Sequence, residues 1–206
     1  RSSDLYRYMV SVVARYDGIS KLSDNRWGFF PGISAGWNVH EEAFFKDSKF
    51  AEVVSLIKPR ISYGLNGNVN GIGNFDVYGK YGSVGAYNGN LGYLNTGVVN
   101  SKLRWEKSHT FELGLDLGFF NNRVHMIMDY YNRTTSDLLT DVNLPEYTGF
   151  PSFKTNLGTI SNRGFELEAK VNLLTKKDWS WDVTANTSFV KNMVKKLPFN
   201  GNVNNR

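Results

Sequence analysis

The sequence predicts an all-β chain, an antiparallel up-and-down segment of a transmembrane β-barrel with about seven strands. Three observations carry this expectation. Apolar and polar residues alternate with a period of two. The alternating runs last roughly ten to twelve residues, against about five or six in soluble sheets and about nine to eleven needed to cross a bilayer at a tilt. Aromatic residues collect at the ends of the runs.

The first run sets Tyr6, Tyr8, Val10, Val12, Ala14 and Tyr16 against Arg7, Met9, Ser11, Val13, Arg15 and Asp17. A second opposes Trp27, Phe29, Pro31, Ile33, Ala35, Trp37 and Val39 to Gly28, Phe30, Gly32, Ser34, Gly36 and Asn38. The third reads Ile57, Pro59, Ile61, Tyr63 and Leu65 against Lys58, Arg60, Ser62, Gly64 and Asn66. Next come His109, Phe111, Leu113, Leu115, Leu117 and Phe119 against Ser108, Thr110, Glu112, Gly114, Asp116 and Gly118. Val124, Met126, Met128 and Tyr130 then oppose His125, Ile127, Asp129, Tyr131 and Arg133. The last two runs are Phe165, Leu167, Ala169, Val171 and Leu173 against Gly164, Glu166, Glu168, Lys170 and Asn172, and Trp179, Trp181, Val183, Ala185, Thr187 and Phe189 against Ser180, Asp182, Thr184, Asn186 and Ser188.

Two connections are tight: Phe120-Asn121-Asn122-Arg123, and Leu174 to Asp178, where Asn and Asp tolerate turn geometry. Gly18 to Arg26, Gly67 to Lys107 and Thr134 to Thr159 are longer, and an up-and-down path puts all three at the opposite end. The exception is His40 to Ser55, long yet on the tight-turn side, where Glu41-Glu42-Ala43-Phe44-Phe45 suits a short helix. A soluble β-sandwich would also alternate. Strand length argues against it, as do the aromatic belts of Tyr6, Tyr16, Trp27, Trp37, Trp179 and Trp181. So few strands do not close a wide barrel, and an open edge in lipid strands backbone groups unpaired, so the chain is expected to be part of a larger barrel.

Composition narrows the chemistry. The 206 residues contain no Cys, which excludes disulfides, thiolate metal sites and thiol nucleophiles. The 24 Lys and Arg are interspersed with 19 Asp and Glu, nowhere denser than Lys176-Lys177 or Lys195-Lys196, so no basic stripe exists for nucleic acid. No apolar run is long enough for a membrane helix, and Arg1-Ser2-Ser3-Asp4 does not open a signal peptide, but neither fact bears on a barrel.

The residues resemble a known family, the SusC/RagA-like TonB-dependent transporters of Bacteroidetes outer membranes. Arg26-Trp27-Gly28-Phe29-Phe30-Pro31 with Ser34-Ala35-Gly36-Trp37 is similar to the family's RWG-x-FP-x-x-SxGW strand, preceded by Arg15-Tyr16-Asp17-Gly18 where R-x-DGSS is common. Arg60-Ile61-Ser62-Tyr63-Gly64 with Gly67-Asn68 resembles RxSYGxxGN, and Leu103-Arg104-Trp105-Glu106 resembles LxWE. Gly114-Leu115-Asp116 with Phe119 to Arg123 resembles GLD-x-x-FFNNR. Tyr130-Tyr131-Asn132-Arg133, Asp137-Leu138-Leu139, Thr148-Gly149-Phe150, Asn156-Leu157-Gly158 and Asn162 to Leu167 continue the match in order. Ile19 departs from a usual Ser, and Asn100-Ser101 stands where Asn-Pro is common.

The resemblance implies a barrel of about 22 strands in the bacterial outer membrane, of which residues 1–206 are a late piece, without the plug domain, TonB box or aromatic C-terminal residue. It also implies energy-coupled import of large nutrients, glycans or oligopeptides, with TonB reached through the plug and a SusD-like surface lipoprotein over the outer loops. A secreted sandwich that binds carbohydrate and a passive porin are the rival readings.

No catalytic residue, cofactor or metal is expected. Glu166 and Glu168 share one strand face without an acid placed opposite. His40, His109 and His125 lack metal-ligand spacing, and no Gly-x-Ser-x-Gly occurs. Gly71-Ile72-Gly73 lacks the strand-to-helix context of a phosphate loop. The alternation puts Arg7, Arg15, Lys58, Arg60, Asp116, Asp129, Glu166, Glu168 and Lys170 in the lumen. Tyr78, Tyr81, Tyr87 and Tyr93 alternate with Gly, Asn and Ser in the long loop and are candidates for substrate contact, or for packing against the loop's neighbours or a lipoprotein lid.

Overall fold

A computed structural model describes residues 7–197; the expected belt residue Tyr6 lies outside them. Nine strands follow in chain order: β1 (Tyr8–Gly18), β2 (Trp27–Trp37), β3 (Val54–Asn68), β4 (Tyr81–Tyr87), β5 (Asn90–Asn95), β6 (Glu106–Phe119), β7 (Val124–Asn143), β8 (Ser152–Lys176) and β9 (Trp179–Lys196). Seven of them form one sheet in the order β1-β2-β3-β6-β7-β8-β9, each pair antiparallel, while β4 and β5 make a separate hairpin. The sheet is a meander with the hairpin inserted between its third and fourth strands.

Register gathers the alternating sets into two continuous faces. One row across the sheet reads Ala35, Ile61, Leu113, Tyr130, Phe165 and Phe189, and the next reads Pro59, Leu115, Met128, Leu167 and Thr187. On the other face Ser34, Ser62, Glu112 and Tyr131 follow one another, as do Lys58, Asp116, Ile127, Glu168 and Asn186. A sandwich would cover the apolar face with a second sheet. Here it is bare: Val12 is 72% exposed, and Val10, Phe29, Ile33 and Phe189 are likewise exposed. At the two ends of the β1–β2 ladder Tyr8 stacks on Trp37 at 6.3 Å and Tyr16 on Trp27 at 5.2 Å. Tyr16 lies eight positions along the strand from Tyr8, roughly 26 Å, so the two aromatic pairs bracket a mostly aliphatic stretch.

The sheet ends differ as the connections predicted. At one end are the tight turns 120–123 and 177–178, with residues 38–53 beside them holding one α-helical turn, α1 (Ala43–Lys46), between two 3-10 turns. Phe120, Asn121 and Asn122 take φ of 53°, 58° and 61°, so the turn does use the left-handed region that asparagine tolerates. The helix expected over residues 41–45 is therefore shorter and begins two residues later. At the opposite end sit residues 19–26, the β4–β5 segment and residues 144–151.

Three boundaries differ from the sequence pattern. Residues 134–159, expected as a loop, are mostly strand: β7 runs to Asn143 and β8 starts at Ser152, leaving only residues 144–151 as the connection. The ladder survives there because Thr134, Thr135, Leu138, Thr140 and Val142 favour extended backbone. Its alternation is scrambled by a bulge between Thr135 and Leu138 in which Asp137 adopts φ 56°. At the far end of β8 a second bulge shifts the register so that Leu174 faces Trp181. Finally, β9 extends past Phe189 to Lys196.

Candidate functional site

The polar face carries a charge network built over a missing side chain. Arg60 on β3 donates from Nε and Nη2 to Asp116 Oδ1 at 3.0 and 2.8 Å, and from Nη2 to Asp129 Oδ1 at 3.0 Å. Asp129 is on β7, two strands away, with Gly114 of β6 between them in register. A Cβ on Gly114 would stand 2.6 Å from Asp129 Oδ1 and 2.8 Å from the guanidinium carbon of Arg60, so only glycine lets the arginine lie across β6. The remaining lumen candidates share this face. Glu166 is the register partner of Asp129, so an acid does stand opposite it, contrary to the sequence expectation, because the β7–β8 register is not readable from the sequence. Glu168 partners Ile127, Lys58 partners Asp116 and Lys170 partners His125. Arg15 pairs with Asp17 at 3.4 Å and lies over the Phe30 ring at 5.9 Å. Arg7 sits instead at the tight-turn rim, 3.5 Å from Glu42.

Among the described residues a buried core lies at the loop end, where loop residues pack against Phe30 of β2. Leu22, Phe30, Val69, Ile72, Val77, Leu103 and Trp105 form it, with Ile19, Leu65 and Leu139 packed against it. The β2–β3 pairing stops at Gly32 and Gly64. Beyond that point the Phe30 ring lies against Gly28 and Gly67 and meets Trp105 edge-on at 5.3 Å. Trp105 Nε1 donates to Arg26 O at 3.2 Å, so the indole is satisfied although buried.

Two polar clamps fasten this core to the β7–β8 hairpin. Asp76 accepts from the Gly73 N–H at 2.8 Å and ion-pairs with Lys80 at 2.7 Å and Lys154 at 3.4 Å. Burial alone would raise its carboxyl, but Lys80, the Gly73 N–H and Lys154 outweigh that and hold it down to about 2. In the second clamp Asn156 accepts from the Arg104 N–H at 3.0 Å and donates to Arg104 O at 2.9 Å and Asp137 O at 2.7 Å. Arg104 Nη2 reaches Asp137 Oδ1 at 2.7 Å, and this bond raises the guanidinium value further. Asp137 owes its place to the β7 bulge.

The loop tyrosines stay clear of that core. Tyr81, Tyr87 and Tyr93 are carried by the β4–β5 hairpin and Tyr78 by the turn that precedes it, all four exposed. Tyr87 at the hairpin tip and Tyr147 at the tip of β7–β8 are both 89% exposed. Asn88 (φ 49°) and Gly89 (φ 78°) turn the hairpin, and that Asn-Gly pair was the overlooked sequence signal for it. Among the described residues no group of three or more His, Asp or Glu could hold a metal ion. His109 Nδ1 shares a hydrogen bond with Tyr63 OH at 2.9 Å, and His40 Nδ1 approaches Ile57 O at 3.3 Å.

Residues 3–206 match the protein family described as TonB dependent receptor-like, beta-barrel. The chain belongs to that family. It is 37% identical over 196 residues to TonB-dependent receptor P3 of Formosa agariphila, covering 93% of this chain and 19% of that protein. To TonB-dependent receptor SusC of Bacteroides thetaiotaomicron it is 36% identical over 202 residues, covering 94% of this chain and 20% of SusC. The solved RagAB peptide importer in its closed-closed state superposes with a TM-score of 0.84 at 30% identity, covering 94% of this chain and 21% of that one. This receptor segment thus spans about one fifth of the length of these relatives, and its open sheet is a portion of a TonB-dependent barrel.

Proposed function

We propose that the segment is wall and outer-loop scaffold of an outer-membrane importer that takes up large nutrients, glycans or oligopeptides, with energy supplied through TonB. The observation that carries this reading is the division of the sheet: an uncovered apolar face bounded by aromatic pairs, backed by a face bearing Arg60, Asp116, Asp129, Glu166, Glu168 and Lys170. Such a sheet suits lipid on one side and a water-filled lumen on the other. The chain has no part to play in bond-breaking on this reading; Glu166 and Glu168 solvate the lumen. The plug and the remaining strands belong to the rest of the receptor, and a SusD-like lipoprotein sits over the outer loops, as the likeness to SusC and to the RagAB importer supports.

Tyr78, Tyr81, Tyr87 and Tyr93 are the surface offered to substrate or to that lipoprotein. The test is uptake by cells carrying the complete receptor, supplied in turn with a glycan and an oligopeptide as sole carbon source. Growth that requires both the receptor and TonB is expected on one of the two. Growth that persists without TonB would make the barrel a passive porin.

A further inference from the structure

The connection between β2 and β3 does not hang free below the sheet. Glu42 accepts from Tyr8 OH at 2.6 Å and from Trp37 Nε1 at 3.0 Å, and both rings belong to the apolar face. These bonds, with Arg7 near by, keep the Glu42 carboxyl below its usual range and hang α1 from the apolar side of the rim. The turn then divides its two phenylalanines: Phe45 is buried, while Phe44 is 64% exposed. The following 3-10 turn, Lys49–Glu52, presents Phe50 at 73% exposure, and Val53 beyond it is exposed as well. Phe120, whose N–H donates to Val53 O at 2.7 Å, adds another exposed ring from a left-handed backbone position that a bulky residue rarely occupies.

Resting on the membrane reading above, in which the tight-turn end of the barrel is the periplasmic one, we infer that residues 39–53 are an interfacial foot whose Phe44 and Phe50 enter the headgroup and acyl boundary of the periplasmic leaflet. The occupant is phospholipid because the patch continues, through Tyr8 and Trp37, the exposed apolar face that carries Val10 and Val12. Charge sets the kind of contact. The segment holds Glu41, Glu42, Asp47 and Glu52 against Lys46 and Lys49, so it is not drawn to anionic lipid and is held by its apolar side chains.

Because the chain has no Cys, a nitroxide can be placed here singly, any cysteine elsewhere in the receptor being replaced by serine. The complete receptor carrying Phe44→Cys or Phe50→Cys is labelled and put in phosphatidylcholine nanodiscs, with and without phosphatidylglycerol. Collisions with oxygen, which concentrates in lipid, are compared with those of a water-soluble nickel chelate. Labels at Val12→Cys and Tyr87→Cys serve as lipid and water references. Oxygen-dominated collisions at both 44 and 50, unchanged by phosphatidylglycerol, are expected. Nickel-dominated collisions at either position, or exclusion of both reagents by a covering protein surface, would overturn the foot while Val12 still reports lipid. Nickel access at Val12 itself would bring down the membrane reading instead, and the foot with it.

Discussion

Phe30 is the one large apolar residue among the small and polar residues of its strand face, and its surroundings show what it is for. Its ring fills the space where β2 and β3 part, against Gly28, Gly67 and Trp105. A methyl group on Gly67 would meet both rings, whereas one on Gly64 meets nothing within 4 Å. Gly67→Ala should therefore cost about 1–3 kcal/mol as an overpacked site, and Gly64→Ala close to nothing; urea unfolding of the two variants of the complete receptor measures the difference. Asp76 gives a second expectation at this scale. Its carboxyl is held at about 2 in the fold, below its value in an unfolded chain, so its stabilisation is full above that unfolded value and is lost as pH falls from about 4 toward 2. Amide exchange in residues 69–80 should accelerate, relative to the strands, as pH falls from about 4 toward about 2. In Asp76→Asn it should be faster at the higher pH and should lack that acid-induced step.

Elements differ in how plainly the sequence announces them. The strands bearing Val10 and Val12, Ile33 and Ala35, or Leu113 and Leu115 are legible because one neighbouring phase is apolar throughout and a one-residue slip would exchange the faces. The outer half of the β7–β8 hairpin is not legible: both of its faces are mixed, and the Asp137 bulge interrupts the period just where a reader would look for it. For the same reason Arg104, Asp137 and Asn156 stood out as pieces of a resemblance but not as one clamp, since they are brought together only by the strand extension. That clamp makes a prediction about the element it secures. Asn156→Ala deletes the acceptor of Arg104 N–H and the donor to two carbonyls, leaving partly buried backbone groups unpaired at up to roughly 1 kcal/mol each. Protease cleavage within residues 69–105 should rise several-fold in this variant, while β1, β2 and β3 stay protected. Equal loosening of those strands would show that the clamp supports the whole sheet and not the loop layer alone.

For the whole molecule, the two-faced sheet makes neighbouring residues of like chemistry behave oppositely. Ile127 and Met128 are adjacent on β7, both apolar and both half-buried, so neither composition nor exposure distinguishes them. Register does. Met128 stands between Leu115 and Leu167 on the apolar face, whereas Ile127 stands between Asp116 and Glu168 on the polar one. Met128→Lys should therefore place a charge in hydrocarbon and cost about 2–4 kcal/mol toward mid-membrane. Ile127→Lys should put the same charge beside two carboxylates in a water-filled lumen, where the exchange is expected to lie within about 1 kcal/mol of neutral. Folding titrations of the complete receptor into phospholipid vesicles measure both. Comparable costs at the two positions would mean that both faces meet the same medium, as in a soluble sheet with water on either side. A larger cost at Ile127 would mean that the polar face is closely covered, with the plug already filling the space that a lysine needs.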